Sequence, residues 1–328
     1  MKPKAVALLS GGLDSTLAIC ILKEQEIEIE AVNFQTMFGC CKDDARQVAH
    51  RLGVPFTTLK VADDYLKVIE APKYGYGRGI NPCVDCRIYM FAAAKRFMEK
   101  TQASFLISGE VLGQRPMSQK REDFKRIECD TGLEGLIVRP LSARLLPETE
   151  PERAGIIDRS RLYAIRGRSR HDLLELARKY GIDHPPSPSS GCALTSPLFA
   201  KKVKDIFDHR PDYRRWEFEV LKIGRHFRLD DEAKVIVSKN ERQNEYLESL
   251  LSEGTVLLDC INFGGPKALL IGTKTGERVQ KTASIMLRYA QKPLPADCEI
   301  RIREGQRQEF IVAAEPAEES LLERMRIV

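Results

Sequence analysis

The segment Ser10-Gly11-Gly12-Leu13-Asp14-Ser15 follows the apolar run at 5–9 and opens the helical pattern Thr16-Leu17-Ala18-Ile19-Cys20-Ile21-Leu22. A strand, a tight turn and a helix in that order expose the helix N-terminus at the strand's carboxyl end. The two glycines let the backbone approach an anion, the unpaired N–H groups of the first helical turn face it, and Ser10 and Ser15 can add hydroxyl donors. The turn therefore predicts a pyrophosphate cradle. It has neither the lysine of the nucleoside-triphosphate loop that ends in Gly-Lys-Ser/Thr nor the glycine spacing of the G-x-G-x-x-G dinucleotide turn. The bland alternative is a Gly-Ser turn that binds nothing. Six residues of the required kinds in a strand-turn-helix setting favour the cradle.

Beyond the turn, Ile29-Glu30-Ala31-Val32-Asn33-Phe34 reads as a strand, 43–51 as a helix and Pro55-Phe56-Thr57-Thr58-Leu59 as another strand. Helical spacing returns at 88–100, ahead of the strand Phe105-Leu106-Ile107. Strands alternating with helices predict an α/β fold, a doubly wound parallel sheet whose ligands gather at the strands' carboxyl ends. Gly109-Glu110-Val111-Leu112-Gly113-Gln114 then falls on the same edge as the first turn. After a proline-containing stretch at 139–151 come a polar helix at 169–179, the turn-rich His184-Pro185-Pro186-Ser187-Pro188-Ser189-Ser190-Gly191-Cys192, and a helix at 201–207. Arg210-Pro211-Asp212 is the candidate boundary, giving domains 1–210 and 211–328. The second, smaller domain reads as α+β. Its strands are predicted at Phe218-Glu219-Val220-Leu221, His226-Phe227-Arg228-Leu229, Lys234-Val235-Ile236-Val237, Val256-Leu257-Leu258 and Ala268-Leu269-Leu270-Ile271, with helices at 241–251 and 281–289.

No stretch approaches the roughly 20 apolar residues that span a bilayer, so no membrane partner and a cytoplasmic location are expected. In that compartment the chain's nine cysteines are thiols, metal ligands or redox groups before they are a disulfide framework. Net charge is +5, with 52 basic and 47 acidic residues, which permits a polyanionic partner without requiring one.

Asn81-Pro82-Cys83-Val84-Asp85-Cys86 sets two thiols three residues apart just ahead of the helix read from Ile88, and Cys192 is a candidate third ligand. Structural zinc would want a fourth protein ligand, and no second C-x-x-C pair is present. Three thiolates on an iron–sulfur cluster would leave one iron open to an exogenous sulfide or a substrate sulfur. A redox pair or buried small hydrophobes remain alternatives for Cys83 and Cys86. The adjacent Cys40 and Cys41 are packed or reactive thiols, with a persulfide carrier as the functional alternative. Cys20, Cys129, Cys260 and Cys298 read as structural.

The S-G-G-x-D-S pattern resembles the PP-loop ATPases, which cleave ATP between the α and β phosphates and transfer AMP to an oxygen that must leave. Cys41-Lys42-Asp43-Asp44, Leu52-Gly53-Val54-Pro55-Phe56, Asn81-Pro82-x-x-x-Cys86 and Ser190-Gly191-Cys192 follow, in order, the pattern of the bacterial tRNA 2-thiouridylases. In that family the cysteines matching Cys86 and Cys192 act in sulfur transfer. Cys83 departs from the family, which commonly carries an aspartate there, and the departure favours a three-cysteine cluster. Ser108-Gly109-Glu110-Val111-Leu112-Gly113-Gln114 with Ser118-Gln119 resembles the tRNA 4-thiouridine synthetases. Together these resemblances cover about the first 200 residues.

The resemblance implies ATP on Ser10, Gly11, Gly12, Leu13, Asp14 and Ser15, with Gly109 and Gln114 beside it. It also implies Mg2+ aided by Asp14 and adenine near Val32, Asn33 and Phe34. A tRNA uridine would be adenylated on a carbonyl oxygen, and sulfur from sulfide or a persulfide donor would displace AMP. The catalytic set is Asp14, Cys86 and Cys192, with a [4Fe-4S] cluster on Cys83, Cys86 and Cys192. A homodimer is left open.

Basic residues cluster at Arg115, Lys120, Arg121, Lys125 and Arg126, and again at Arg159, Arg161, Arg166, Arg168 and Arg170, where phosphate contact is expected. In the second domain Gly224-Arg225-His226-Phe227-Arg228, Ser238-Lys239-Asn240-Glu241-x-x-Asn244-Glu245 and Gly264-Gly265-Pro266-Lys267 resemble the NFACT-R domain, which implies RNA binding. Few aromatics read as exposed there, so backbone or shape recognition is expected rather than base stacking. Three rivals differ in class. An amidating PP-loop enzyme gives no reason for the three cysteines, a desulfidase gives none for the ATP loop, and a non-catalytic RNA-binding adaptor rests on the second domain alone.

Overall fold

The computed structural model describes residues 2–39, 44–186, 191–313 and 315–327. Strand β1 (Lys4–Leu8) runs into helix α1 (Leu13–Lys23), followed by β2 (Glu28–Gln35), α2 (Asp44–Leu52), β3 (Phe56–Lys60) and α3 (Asp64–Glu70). Helix α4 (Cys83–Lys100) leads to β4 (Phe105–Ser108), α5 (Arg121–Thr131), the short β5 (Ile137–Val138), α6 (Glu150–Arg153) and α7 (His171–Lys179). The five strands form one sheet in the order β3-β2-β1-β4-β5, parallel throughout.

Alternation along the strands explains the two layers. Ala5, Ala7, Ile29, Ala31, Phe105 and Ile107 bury one face against Leu17 and Ile21 of α1 and Leu173 and Leu176 of α7. Val6, Val32, Phe34 and Leu106 bury the other against Phe91 and Ala94 of α4 and Ile127 of α5. Side chains apolar on both faces are what a sheet covered by helices on both sides requires. This is the doubly wound α/β fold expected from the sequence.

The chain divides into two compact units, Met1–Ser196 and Pro197–Val328. Helix α8 (Pro197–His209) begins the second, so the division falls at the opposite end of this helix from the Arg210-Pro211-Asp212 turn. Then come α9 (Arg215–Glu219), β6 (Arg225–Asp230), β7 (Ala233–Val237), α10 (Glu241–Ser249), β8 (Thr255–Cys260) and β9 (Ala268–Ile271). Helix α11 (Gly276–Arg288), β10 (Cys298–Glu304), β11 (Arg307–Ala313) and α12 (Glu319–Met325) complete it. Its six strands form an antiparallel sheet in the order β11-β10-β8-β9-β7-β6. Val235, Leu258, Leu270 and Ile300 pack one face on Ala283 and Met286 of α11 and Leu322 of α12. Ile236, Leu257 and Leu269 pack the other on Leu247 of α10.

Two readings need correction. Phe218-Glu219-Val220-Leu221 is not a strand, because α9 and a 3-10 turn at Val220–Lys222 occupy it. An Arg215–Glu219 ion pair of 2.9 Å at i,i+4 supports the helix, and Phe218 packs against the rings of Phe207 and Tyr213. Helix α4 starts at Cys83, with Pro82 as N-cap, and not near Ile88. Proline is tolerated there because the first helical N–H groups have no partner within the helix. Among the described helices none is long and apolar enough to cross a membrane.

Strand order reverses between β1 and β4, and there Gly109 lies against the first turn of α1. A Cβ on Gly109 would stand 2.5 Å from the Ser15 nitrogen. Gly109→Ala is expected to lower unfolding free energy by about 1–3 kcal/mol, the cost of overpacking a tight contact, in chemical denaturation.

Candidate functional site

The loop between β1 and α1 is shaped by its own hydroxyls. Ser15 Oγ donates to the Gly12 carbonyl at 3.0 Å and accepts the Ser10 N–H at 3.2 Å, while Ser10 Oγ accepts the Gly12 N–H at 3.3 Å. Thr16 Oγ1 donates to the same Gly12 carbonyl at 2.9 Å. The N-cap residue Gly12 has no side chain to cap α1, which leaves first-turn N–H groups facing the loop. The Ser15 hydroxyl is thus committed to holding the loop, where the sequence suggested a donor to the anion.

Asp14 sits in that first turn. Burial pushes its carboxyl above the usual range, against a hydrogen bond with the Gln114 side chain and the nearby charges of Arg170 and Arg115. Gln114 and Arg115 belong to the loop after β4, so the turns following β1 and β4 meet at one carboxylate, at the switch point of the sheet. The side chains of Val32, Asn33 and Phe34 are buried. Val32 and Phe34 join the apolar layer above α4, and Asn33 donates from Nδ2 to the Leu9 carbonyl at 2.7 Å. Together with a 2.8 Å bond from Leu9 N–H to the Val32 carbonyl, this fixes where the anion loop leaves the sheet.

The thiols assemble on the same edge. Cys83 and Cys86 occupy the first turn of α4 at i,i+3 and so share a face. Asp85 between them accepts the N–H groups of Lys73 and Tyr74 at 2.8 and 3.1 Å, which pins the preceding loop. Cys192 arrives from far along the chain. The Ala193 N–H donates to the Phe38 carbonyl at 3.1 Å, and the Ile80 N–H donates to the Leu194 carbonyl at 3.1 Å. Gly79, at φ +69°, lies so close to that carbonyl that a Cβ would collide with it.

Tyr65, which no sequence signal singles out, is the common neighbour. Its buried hydroxyl donates to Cys86 Sγ at 3.0 Å. Burial raises its pKa well above the ordinary value, and Cys86, Cys192 and Cys83 add to the rise. Burial also raises the Cys86 thiol, opposed by the Tyr65 hydrogen bond and Arg87. It raises Cys83 too, reinforced by Cys86 and opposed by Arg87 and Arg115. Arg115 is therefore felt at both Asp14 and Cys83. Cys40 and Cys41 lie outside the described residues, as do Lys42, Asp43 and Ser190 of the quoted motifs. Cys129 is exposed and Cys298 buried.

The three sulfurs do not all lie within 4.8 Å of one another. One zinc ion would hold its thiolates about 3.8 Å apart, given Zn–S of about 2.3 Å, so a mononuclear site does not match this arrangement. A polynuclear cluster takes one thiolate per iron and so spreads its ligands wider than one ion does.

The basic stretches separate into two kinds. Arg159 is structural, bonded to Glu152 and to the carbonyls of Ala143 and Leu146 at 2.9 and 2.8 Å. Arg121 donates to the Leu145 carbonyl, Arg126 pairs with Asp123, Arg161 donates to the Glu24 carbonyl and Arg170 to that of Pro186. Arg115, Lys120, Lys125, Arg166 and Arg168 are exposed and take no ion-pair partner among the described residues.

Two family matches cover most of this chain. Residues 3–126 match the tRNA methyl transferase HUP domain, and residues 224–325 match the NFACT protein RNA binding domain. The chain thus carries a region similar to a HUP domain followed by one similar to an NFACT-type RNA binding domain. The resemblance of the HUP domain to the PP-loop tRNA thiolation group stands with the similar proteins. A bifunctional protein NifU/MnmA of Rubrobacter xylanophilus is 30% identical over 160 residues, 44% of this chain and 32% of that protein. A tRNA-specific 2-thiouridylase, MnmA 1, of Clostridium botulinum is 28% identical over 209 residues, 56% of this chain and 58% of its own length. The chain thus spans between about a third and just over half of these relatives. A solved 4-thiouridine synthetase–RNA complex with bound ATP aligns over 67% of this chain and 51% of its own at 22% identity, with a TM-score of 0.38.

Two outcomes are expected from this geometry. Because the folded protein holds the Asp14 proton more tightly than the unfolded chain, ionising Asp14 opposes folding. Stability from this group is present below the ordinary aspartate pKa and is lost as pH rises through the raised one. Asp14→Asn should therefore raise the melting temperature at pH 7 and leave it nearly unchanged at pH 3. Gly79→Ala should undock the Cys192 segment, read as faster hydrogen exchange at the Ile80 and Ala193 amides with α1 unaffected.

Proposed function

We propose that this protein thiolates a uridine of tRNA in an ATP-dependent reaction. The observation that carries the reading is the meeting of the anion loop, with Asp14 bound to Gln114, and the thiols around Tyr65 on one edge of one sheet. An enzyme that activates a carbonyl oxygen with ATP and then replaces it with sulfur needs both within reach of one substrate atom. Holding the reactants together in a reactive geometry can lower the barrier by up to roughly 7–11 kcal/mol.

In this reading Ser10, Gly11, Gly12, Leu13, Asp14 and Ser15 hold the ATP phosphates, with Gly109 keeping the loop after β4 against them. Val32, Asn33 and Phe34 set the adenine side of the loop. Asp14, ionised, helps hold Mg2+. The uridine carbonyl oxygen attacks the α phosphorus, pyrophosphate leaves, and sulfide then adds at the activated carbon so that AMP departs with the former carbonyl oxygen. Arg115 steadies negative charge between the two steps. Cys83, Cys86 and Cys192 would hold a [4Fe-4S] cluster, which when bound would supply an iron without a protein ligand to carry the sulfur. The Tyr65 hydroxyl stabilises Cys86 as a thiolate ligand. Residues 1–210 are then the catalytic part and 211–328 the part that grips RNA. Exposed Lys120, Lys125, Arg166 and Arg168 neutralise tRNA phosphates, and a tRNA substrate places the protein in the cytoplasm.

The test is nucleoside mass spectrometry of unmodified tRNA after anaerobic incubation with iron-reconstituted protein, ATP, Mg2+ and sulfide. Wild type should give AMP and a thiouridine, whose retention time distinguishes the 2-thio from the 4-thio product. Asp14→Ala should give neither, and Cys86→Ala should release AMP without thiouridine. Loss of both products in Cys86→Ala together with a lowered melting temperature would assign Cys86 to the fold and not to sulfur transfer.

A further inference from the structure

The outer strands of the NFACT-type domain line up an unusual row of side chains. Antiparallel register sets Asp259 of β8 opposite Arg301 of β10, and Arg301 opposite Phe310 of β11. Cross-strand partners project from the same face. Asp259 is 3% exposed, and its Oδ2 accepts from Arg301 Nε at 3.2 Å and Arg303 Nε at 3.1 Å. Lys267 Nζ stands 3.4 Å from the other oxygen. Lys267 and Arg303 also pair with Glu248 of α10, so two carboxylates hold three cations on one stretch of sheet. The face is the one that Leu257 and Leu269 bury under α10, but Phe310 is 61% exposed. Val312, opposite Glu299, is 57% exposed, and Ile261, whose N–H donates to the Glu299 carbonyl, is 43% exposed. At the inner end of the row a cleft of about 360 Å³ opens, lined by Asn244, Asp259, Gly264, Lys267, Gln291 and Arg301. That volume is at the small end of the usual 300–1,000 Å³ for ligand clefts.

An aromatic ring lying open on a sheet beside a guanidinium offers a stacking surface and a phosphate partner one strand apart. Unpaired nucleotides use both, whereas a duplex hides its base faces. We propose that this face binds an unpaired RNA nucleotide, with its base stacked on Phe310 and its phosphate held by Arg301. The inference rests on RNA contact by the NFACT-type domain, and it replaces the expectation of backbone or shape recognition without base stacking. Lys267 and the Gln291 amide line the cleft, where the neighbouring nucleotide enters. Edge strand β11 could instead pair with a second copy of the chain, but an apolar self-interface gives no reason for the cations gathered on Asp259.

The test titrates the full-length protein into a short labelled single-stranded oligoribonucleotide and, separately, a hairpin duplex, by fluorescence anisotropy. Phe310→Ala should weaken single-strand binding about thirtyfold, the middle of the range for losing one base stack, and leave duplex binding unchanged. Phe310→Trp should retain wild-type affinity. Arg301→Ala should weaken binding and flatten its salt dependence. Wild-type single-strand affinity in Phe310→Ala would overturn the proposal. So would a shift of that variant from dimer to monomer in sedimentation with RNA affinity unchanged, which would assign the face to a second copy. A failure of the thiolation reading shows in the nucleoside products, while a failure here shows only in single-strand affinity.

Discussion

The close approach of Gly109 to the first turn of α1 fixes the distance between the two loops on which the active edge is built. With any side chain at 109, the loop after β4 would have to move away from the Ser15 backbone. Because β1 and β4 are neighbours in a parallel sheet, both loops leave from the same end, and the reversal of strand order between them opens the crevice. The contact between Asp14 and Gln114 and the influence of Arg115 on both Asp14 and Cys83 follow from that one spacing.

Buried charge connects this crevice to the thiols. Glu110, 3% exposed, lies 3.2 Å from Arg139 and 3.6 Å from Arg87, which directly follows Cys86. Arg139 also pairs with Glu128 and stacks over Phe124 at 4.0 Å. Such a network contributes little net stability when complete, because desolvation offsets the attraction, but losing one member strands a buried charge. Its value here is positional, since it ties the loop after β4 to the first turn of α4.

The second unit solves a different problem with the same device. Asp205 of α8 takes a two-pronged contact from Arg228 of β6, at 2.9 and 2.6 Å, and burial pulls Lys234 beside it down to about 8. At the far strands Asp259 gathers Arg301, Arg303 and Lys267. One carboxylate anchors a helix to the sheet, and the other arranges cations on a face left open. Chemically similar residues thus serve packing in one place and presentation in the other.

Much of the first unit was legible in the sequence because its signals are local. Alternation of two, the switch to helical spacing and the Ser-Gly-Gly turn depend on neighbours a few bonds apart, so the sheet, the loop and its helix could be read directly. The α4 start and α9 were misread for the same reason. Pro82 looks like a break but serves as a cap, and a five-residue helix has too little length to show its period against strand-like alternation. What the tertiary structure alone decided is which distant residues meet. Tyr65 joins Cys83, Cys86 and Cys192 because Phe38, Gly79 and Leu194 dock three loops together, and no periodicity encodes that. Phe310 is exposed because α10 covers only part of its sheet, although its residue type and strand context would suit a core. Covalent spacing determines local geometry, whereas neighbours and exposure are properties of the packed chain.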